Sequence, residues 1–189
     1  MRSDAARNKT RILEAARELV AVQGPEVSME AIAGLAGVAV GTLYRHHPTK
    51  AALLTAVVAD SAERLASAAE EALQRARSGG DAGEGLLSLL REFAVEFAAD
   101  QAVKTAAESL GASVPHDPAS FEPGSAQRRA VDAIGALLEQ GQRAGGIRPD
   151  VSMADLMLLL VAVPGPEVPA AQRERFVDVV VDGLRATPR

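Results

Sequence analysis

At 189 residues, 48% of them apolar, the chain is long enough to bury a core of one or two small domains, and its Gly and Pro gather at a few breaks, which excludes a disordered polymer. The absence of cysteine excludes disulfide frameworks, thiolate metal sites and thiol nucleophiles, and fits a reducing, cytoplasmic setting. The formal net charge of −5 argues at first against a nucleic-acid partner, but residues 1–50 hold 7 Lys/Arg against 5 Asp/Glu, or +2, and residues 51–189 hold 13 against 20, or −7; a mildly basic head on an acidic body suits a protein of which one end meets phosphates.

No apolar run follows Arg2, Asp4, Arg7 and Lys9, so no secretory leader is expected. Helical periodicity then runs along nearly the whole chain. Ile12, Ala15, Ala16, Leu19 and Val20 mark one helix face, and Gly24-Pro25 ends that helix. Ser28 stands as the N-cap of a short helix with Met29, Ile32, Ala33 and Ala36 inward. Gly37 breaks it, and a second short helix from about Val40 carries Leu43 and Tyr44. Pro48-Thr49 opens the longest element, striped by Leu53, Leu54, Val57, Val58, Leu65, Ala68 and Ala72 as far as Arg77. Its roughly 28 residues make a rod of about 42 Å, too long for a fifty-residue head and therefore a bridge between two domains.

In the body, helices are predicted over about Gly85–Asp100 and Val103–Leu110, then a proline-rich loop over 113–124. A further helix runs from Ser125 to Ala144, and Gly145-Gly146 stops it. Ser152 caps a strongly apolar helix to Val163, and Ala170–Arg185 closes the chain. The run Leu156–Val163 falls well short of the roughly 20 apolar residues of a membrane span, so a soluble protein with no membrane partner is expected.

The informative stretch is Ser28 to Lys50, SMEAIAGLAGVAVGTLYRHHPTK. Two short helices that cross steeply need a small residue where their backbones meet, supplied by Ala33, and a sharp turn four residues on, which Gly37 permits at positive φ. Val38 and Leu43 then pin the second helix to the first, leaving it free to enter a major groove. In the ordered set Ile32-Ala33, Ala36-Gly37-Val38, Gly41-Thr42-Leu43-Tyr44, Pro48 and Lys50, residues 7–54 resemble the DNA-binding region of the tetracycline-repressor (TetR) family. The remaining two thirds match that family in being helical and of suitable length.

The resemblance implies a DNA-binding transcriptional regulator, foremost a repressor of a palindromic operator released by a small-molecule ligand. It implies phosphate or base-edge contacts from Thr42 and Tyr44, a phosphate clamp at Lys50 with the Thr49 hydroxyl beside it, and sequence reading by Val40, Gly41, Arg45 and His46. Ser28 joins these as a candidate at the start of the first short helix. Tyr44 is open to a second reading, as a packing aromatic, and Arg45 to one as a plain solvated arginine. Two departures stand out. Ala39 replaces a capping hydroxyl residue, and His47 replaces an aromatic beneath the recognition helix, so that His47 either fills that slot or leaves the helix end looser.

For the body, the inward faces suggest Leu90, Phe93, Phe97, Leu110, Phe121, Leu138, Met153 and Met157 as lining for an apolar or mixed effector, with plain core packing as the alternative for each. The resemblance implies a homodimer through the last two helices, with Leu156, Leu159, Leu160, Val163, Phe176, Val177, Val180, Val181 and Leu184 as its interface. The segment Gly145 to Val151 also resembles one bacterial subgroup of these regulators.

Nothing in the chain has the spacing of an enzyme. There is no Gly-rich phosphate loop, and adjacent His46 and His47 point about 100° apart on a helix, so no metal site or cofactor is expected. His116 reads as a lone loop histidine. The fold expected is all-α: a three-helix helix-turn-helix DNA-binding domain over 1–50, joined through the connecting helix 51–77 to a helical ligand-binding and dimerisation domain over 51–189. The competing reading is a helical small-molecule carrier or interaction module whose helix-turn-helix is purely structural; an activator is the other form of the regulator.

Overall fold

The computed structural model describes residues 2–114 and 118–186; His116 and Pro115 lie outside them. Among the described residues the chain forms eight α-helices: α1 (Arg2–Gln23), α2 (Met29–Ala36), α3 (Val40–His46), α4 (Lys50–Arg77), α5 (Ala82–Ser109), α6 (Ala126–Arg143), α7 (Met153–Val161) and α8 (Ala170–Gly183). A single 3-10 turn, Pro118–Ser120, lies in the proline-rich loop. No strand is present among them, and the one β-type contact is an isolated antiparallel bridge between Ile147 and Arg185.

The caps explain most boundaries. Ser28 accepts a hydrogen bond from the Ala31 amide at 3.1 Å and starts α2. Thr49 does the same for the Ala52 amide, also at 3.1 Å, and starts α4. Ser152 and Asp155 form a reciprocal capping box at α7. One boundary differs from the sequence reading: α5 runs unbroken from Ala82 to Ser109, where two helices separated near Asp100 were expected. Asp100 and Gln101 interrupt the apolar stripe without breaking the backbone, because the Asp100 carboxylate is taken up by the Arg17 guanidinium and the Ser61 hydroxyl.

The helices pack as two compact units. The first holds the chain up to Ser61 together with Ala99–Val114. Its core joins Ile12, Leu13, Ala16 and Val20 of α1 with Ile32, Ala33 and Leu43 of the helix-turn-helix, Leu53, Leu54 and Val57 of α4, and Val103, Ala106 and Ala107 of α5. The first unit therefore reaches past residue 50, since the first three turns of α4 and the end of α5 complete its core. The second unit holds Ala62–Ala98 and the chain after Val114. There Leu86, Leu87, Leu90, Leu137, Leu156, Val177 and Val181 form a separate core. Its rim carries ion pairs: Arg129 of α6 reaches Glu63 and Glu70 of α4 at 2.9 and 2.7 Å, and Arg91 of α5 reaches Asp182 of α8 at 2.8 Å.

The turn between α2 and α3 decides how α3 leaves the head. Gly37 adopts φ 62°, ψ 39°. Its amide donates to Gly34 at 3.1 Å while the Val38 amide donates to Ala33 at 3.0 Å, the paired bonds by which a left-handed residue closes a helix. The Gly37 carbonyl in turn accepts from the Arg11 guanidinium at 3.3 Å. A Cβ at Gly37 would be strained by the backbone angle and would crowd that guanidinium. Gly37→Ala is expected to lower stability by about 1–2 kcal/mol, seen as a lower thermal midpoint; an unchanged midpoint would show that the turn tolerates another geometry.

Candidate nucleic-acid interface

The exposed face of α3 follows from how little of the helix is buried. Leu43 alone is fully buried; Val40 packs partly against the head's core, Thr42 is half-buried, and Gly41, Tyr44, Arg45 and His46 are exposed. Tyr44 keeps 42% of its surface open to solvent, so it does not serve as a core aromatic. One leucine anchors the helix and the opposite face stands clear, as insertion into a groove requires.

The polar side chains of this face are held by local bonds. Arg45 folds back along α3, donating to the Gly41 carbonyl at 3.2 Å and to the Thr42 hydroxyl at 3.3 Å. Lys50 donates to the Pro25 carbonyl in the loop after α1. The oxygens of Ser28 and Thr49 accept cap bonds, which leaves each hydroxyl proton available to a phosphate oxygen. The nine candidate residues thus lie on α3 and at the starts of α2 and α4, all within the first unit. Ala39 caps α3 without a side-chain hydrogen bond, which agrees with the missing hydroxyl seen in the sequence.

His47 occupies the C-cap of α3, with its amide donating to the Leu43 carbonyl at 2.8 Å. Its ring is half-buried, with its centroid 6.5 Å from that of His46. Burial, together with the neighbouring His46 and Lys9, pushes its pKa below the ordinary 6.5.

The body candidates scatter. Leu90 and Leu138 are buried in the second core, and Phe93 and Met153 pack against it. Phe97, Phe121 and Met157 are half-buried, whereas Leu110 is exposed just after α5, in the other unit. Leu90 lines a narrow apolar void of about 20 Å³ beside Leu156, Phe176 and Val177, room for about one water. Phe93 lines an open groove of about 330 Å³ with Glu63, Arg64, Ser67, Glu71 and Glu92, a far more polar lining than the sequence suggested.

The apolar residues of α7 and α8 divide by burial. Leu156, Val163, Val177, Val181 and Leu184 are buried within the protomer, and Leu159, Leu160, Phe176 and Val180 are half-buried. The side chains that stand out are Leu158, Val161 and Val179, at 68%, 63% and 67% exposure. A helix that is apolar almost all round carries no contrast from which to tell its inner face from its outer one, so Leu158 and Val161 were not singled out within the run Leu156–Val163. Leu158 and Val179 line an open groove of about 500 Å³ that also includes Arg148, Asp150 and Asp155. Arg11 was missed as well, since its bond to Gly37 spans 26 positions and leaves no local pattern.

Comparison with known proteins places these features in context. Residues 12–57 match "Bacterial regulatory proteins, tetR family", and residues 81–186 match "Transcriptional regulator SbtR-like, C-terminal domain". The HTH-type transcriptional regulator UidR of Escherichia coli (strain K12) is 28% identical over 162 residues, covering 85% of this chain and 80% of that protein. Among solved structures, a TetR transcription regulatory protein from Mycobacterium vanbaalenii is 39% identical, with a TM-score of 0.68 over 98% of this chain and 99% of that one. A TetR transcriptional regulator from Streptomyces coelicolor is 29% identical, with a TM-score of 0.69 over 95% and 99%.

The depressed His47 pKa makes the head sensitive to acid. The unfolded chain takes up a proton as pH falls through about 6.5, while the folded ring resists it, so stability present above that pH is lost on going down toward the folded value. His47→Phe is expected to flatten the dependence of the thermal midpoint between about pH 7 and pH 5; a variant with the wild-type slope would contradict this assignment.

Proposed function

Since the chain belongs to the TetR family of transcriptional regulators and carries its DNA-binding helix-turn-helix, we propose that it is a homodimeric repressor that binds a palindromic operator and releases it when a small molecule occupies its helical body. The observation that carries the DNA-reading part is the outward face of α3, where Leu43 is buried while Gly41, Tyr44, Arg45 and His46 are exposed. Arg45 is the candidate base reader. Its present partners, Gly41 and Thr42, are weak neutral acceptors, and exchanging them for the paired acceptors of a guanine edge is favourable. Tyr44, Thr42, Ser28, Thr49 and Lys50 surround it as phosphate contacts that set position rather than sequence.

The homodimer is supported by Leu158, Val161 and Val179, large apolar side chains left exposed on α7 and α8. A two-fold pairing through the outer faces of α7 and α8 calls for an inverted repeat. The effector site is assigned to the second unit, over 62–98 and 118–186, with the polar groove at Phe93 favouring a ligand of mixed character. Cytoplasmic residence follows from the DNA partner; no described helix is long and apolar enough to cross a membrane.

Selection from a random-sequence duplex pool tests the reading. The expected product is an inverted repeat, bound with affinity that falls steeply as salt rises, since each phosphate contact releases counterions. Lys50→Ala is expected to reduce the salt slope by about 1 per protomer, and Tyr44→Ala to weaken binding without unfolding the protein. Wild-type binding by both variants would remove these residues from the interface. Leu158→Glu combined with Val179→Glu is expected to yield monomers by sedimentation with the fold intact; a persistent dimer would place the interface elsewhere.

A further inference from the structure

A buried polar network ties three helices of the first unit together. The Arg17 guanidinium of α1 donates from Nε to Oδ1 of Asp100 on α5 at 3.0 Å, and from a terminal nitrogen to the Ser61 hydroxyl of α4 at 2.6 Å. The Ser61 oxygen also lies 3.0 Å from the same carboxylate oxygen and 3.1 Å from the Val57 carbonyl, to one of which it gives its single proton. The Arg17 and Asp100 side chains are each only 12% exposed. Such a pair is a poor way to gain stability, because desolvation offsets most of the attraction and apolar residues of equal volume hold helices together as well or better. What it supplies is register. The surrounding faces are rich in small side chains, with Ala15, Ala16, Ala106 and Ala107 all buried; such smooth faces interlock weakly, whereas the bonds at Arg17 permit one setting of α1 against α4 and α5.

That setting reaches the reading helix by two routes. The same α1 donates from Arg11 to the Gly37 carbonyl at the turn before α3. Its Ile12, Leu13, Ala16 and Val20 share a core with Ile32, Ala33 and Leu43. At the other end, Asp100 sits where the unbroken α5 enters the first unit, one residue past Ala99, whereas α5 up to Ala98 belongs to the second.

We propose that Arg17, Ser61 and Asp100 form a joint through which α5 fixes the position of α1, and with it the Gly37 turn and α3. They are positioning residues for DNA reading that contact no DNA themselves. Drawing Asp100 away breaks the joint and frees α1 from its setting against α4 and α5. The inference rests on the DNA-reading function of α3 for its biological meaning, but its mechanical content is independent of it.

The test compares full-length wild type, Asp100→Asn, and the double variant Arg17→Leu/Asp100→Leu. The double variant removes both charges of the joint together, leaving half-buried Lys104 its other carboxylate neighbour, Glu108, so it is expected to fold with a thermal midpoint near wild type. Amide hydrogen exchange in the free protein is then expected to speed up roughly 2- to 30-fold over residues 37–47 in both variants, with α6 to α8 unchanged. Affinity for the duplex selected by the wild-type protein is expected to fall by a similar factor at an unchanged salt slope, because no phosphate contact is lost. A folded double variant with wild-type exchange over 37–47 and wild-type DNA affinity would overturn the proposal and leave the network a local brace. If the wild-type protein selects no duplex, the DNA reading of α3 fails, while the exchange data still decide the joint.

Discussion

The reading head depends on one constraint, the left-handed turn at Gly37. With φ at 62° the chain reverses within a single residue, and the amides of Gly37 and Val38 satisfy the last carbonyls of α2. Beyond this turn α3 buries Leu43 fully and packs Val40 partly against the core, while Gly41, Tyr44, Arg45 and His46 stay exposed. The Arg11 bond to the Gly37 carbonyl and the Ser28 cap hold the two ends of α2 around this turn.

How much of this was legible in the sequence varied with how local the physics is. Ser28, Gly37 and Thr49 act through bonds within a few residues of themselves, so their caps and turn could be read directly from spacing. The stripe of Leu53, Leu54, Val57 and Val58 likewise identified α4, which spans Lys50–Arg77. Asp100 misled, because a charge inside an apolar stripe looks like an interruption when its partners, Arg17 and Ser61, are 83 and 39 positions away. On α7 the periodicity vanished, and the outward residues Leu158 and Val161 were passed over for inward ones such as Leu156. The ligand candidates of the body were chosen for apolarity alone, a property that core and pocket share, so they divide among the second core, an open groove and, for Leu110, the first unit.

The charge asymmetry acquires a structural sense. The acidic excess of residues 51–189 is partly tied up in helix-bracing pairs, such as Glu63 and Glu70 on Arg129 and Asp178 and Asp182 on Arg91. The cations of the recognition region, by contrast, bond to neutral groups. Arg45 and Lys50 use backbone carbonyls and a hydroxyl, partners that a phosphate or a guanine edge displaces readily. The head is therefore poised toward anions in a way that its modest net charge does not convey.

Tyr44 offers the most direct measurement of the central claim. The chain has one tyrosine and no tryptophan, so its intrinsic emission comes from the exposed face of α3. If that face meets the duplex, titration with DNA selected by the protein will change Tyr44 emission to saturation at the binding stoichiometry, and added salt will reverse the change. Tight binding with Tyr44 emission untouched would mean that DNA is read by some other surface.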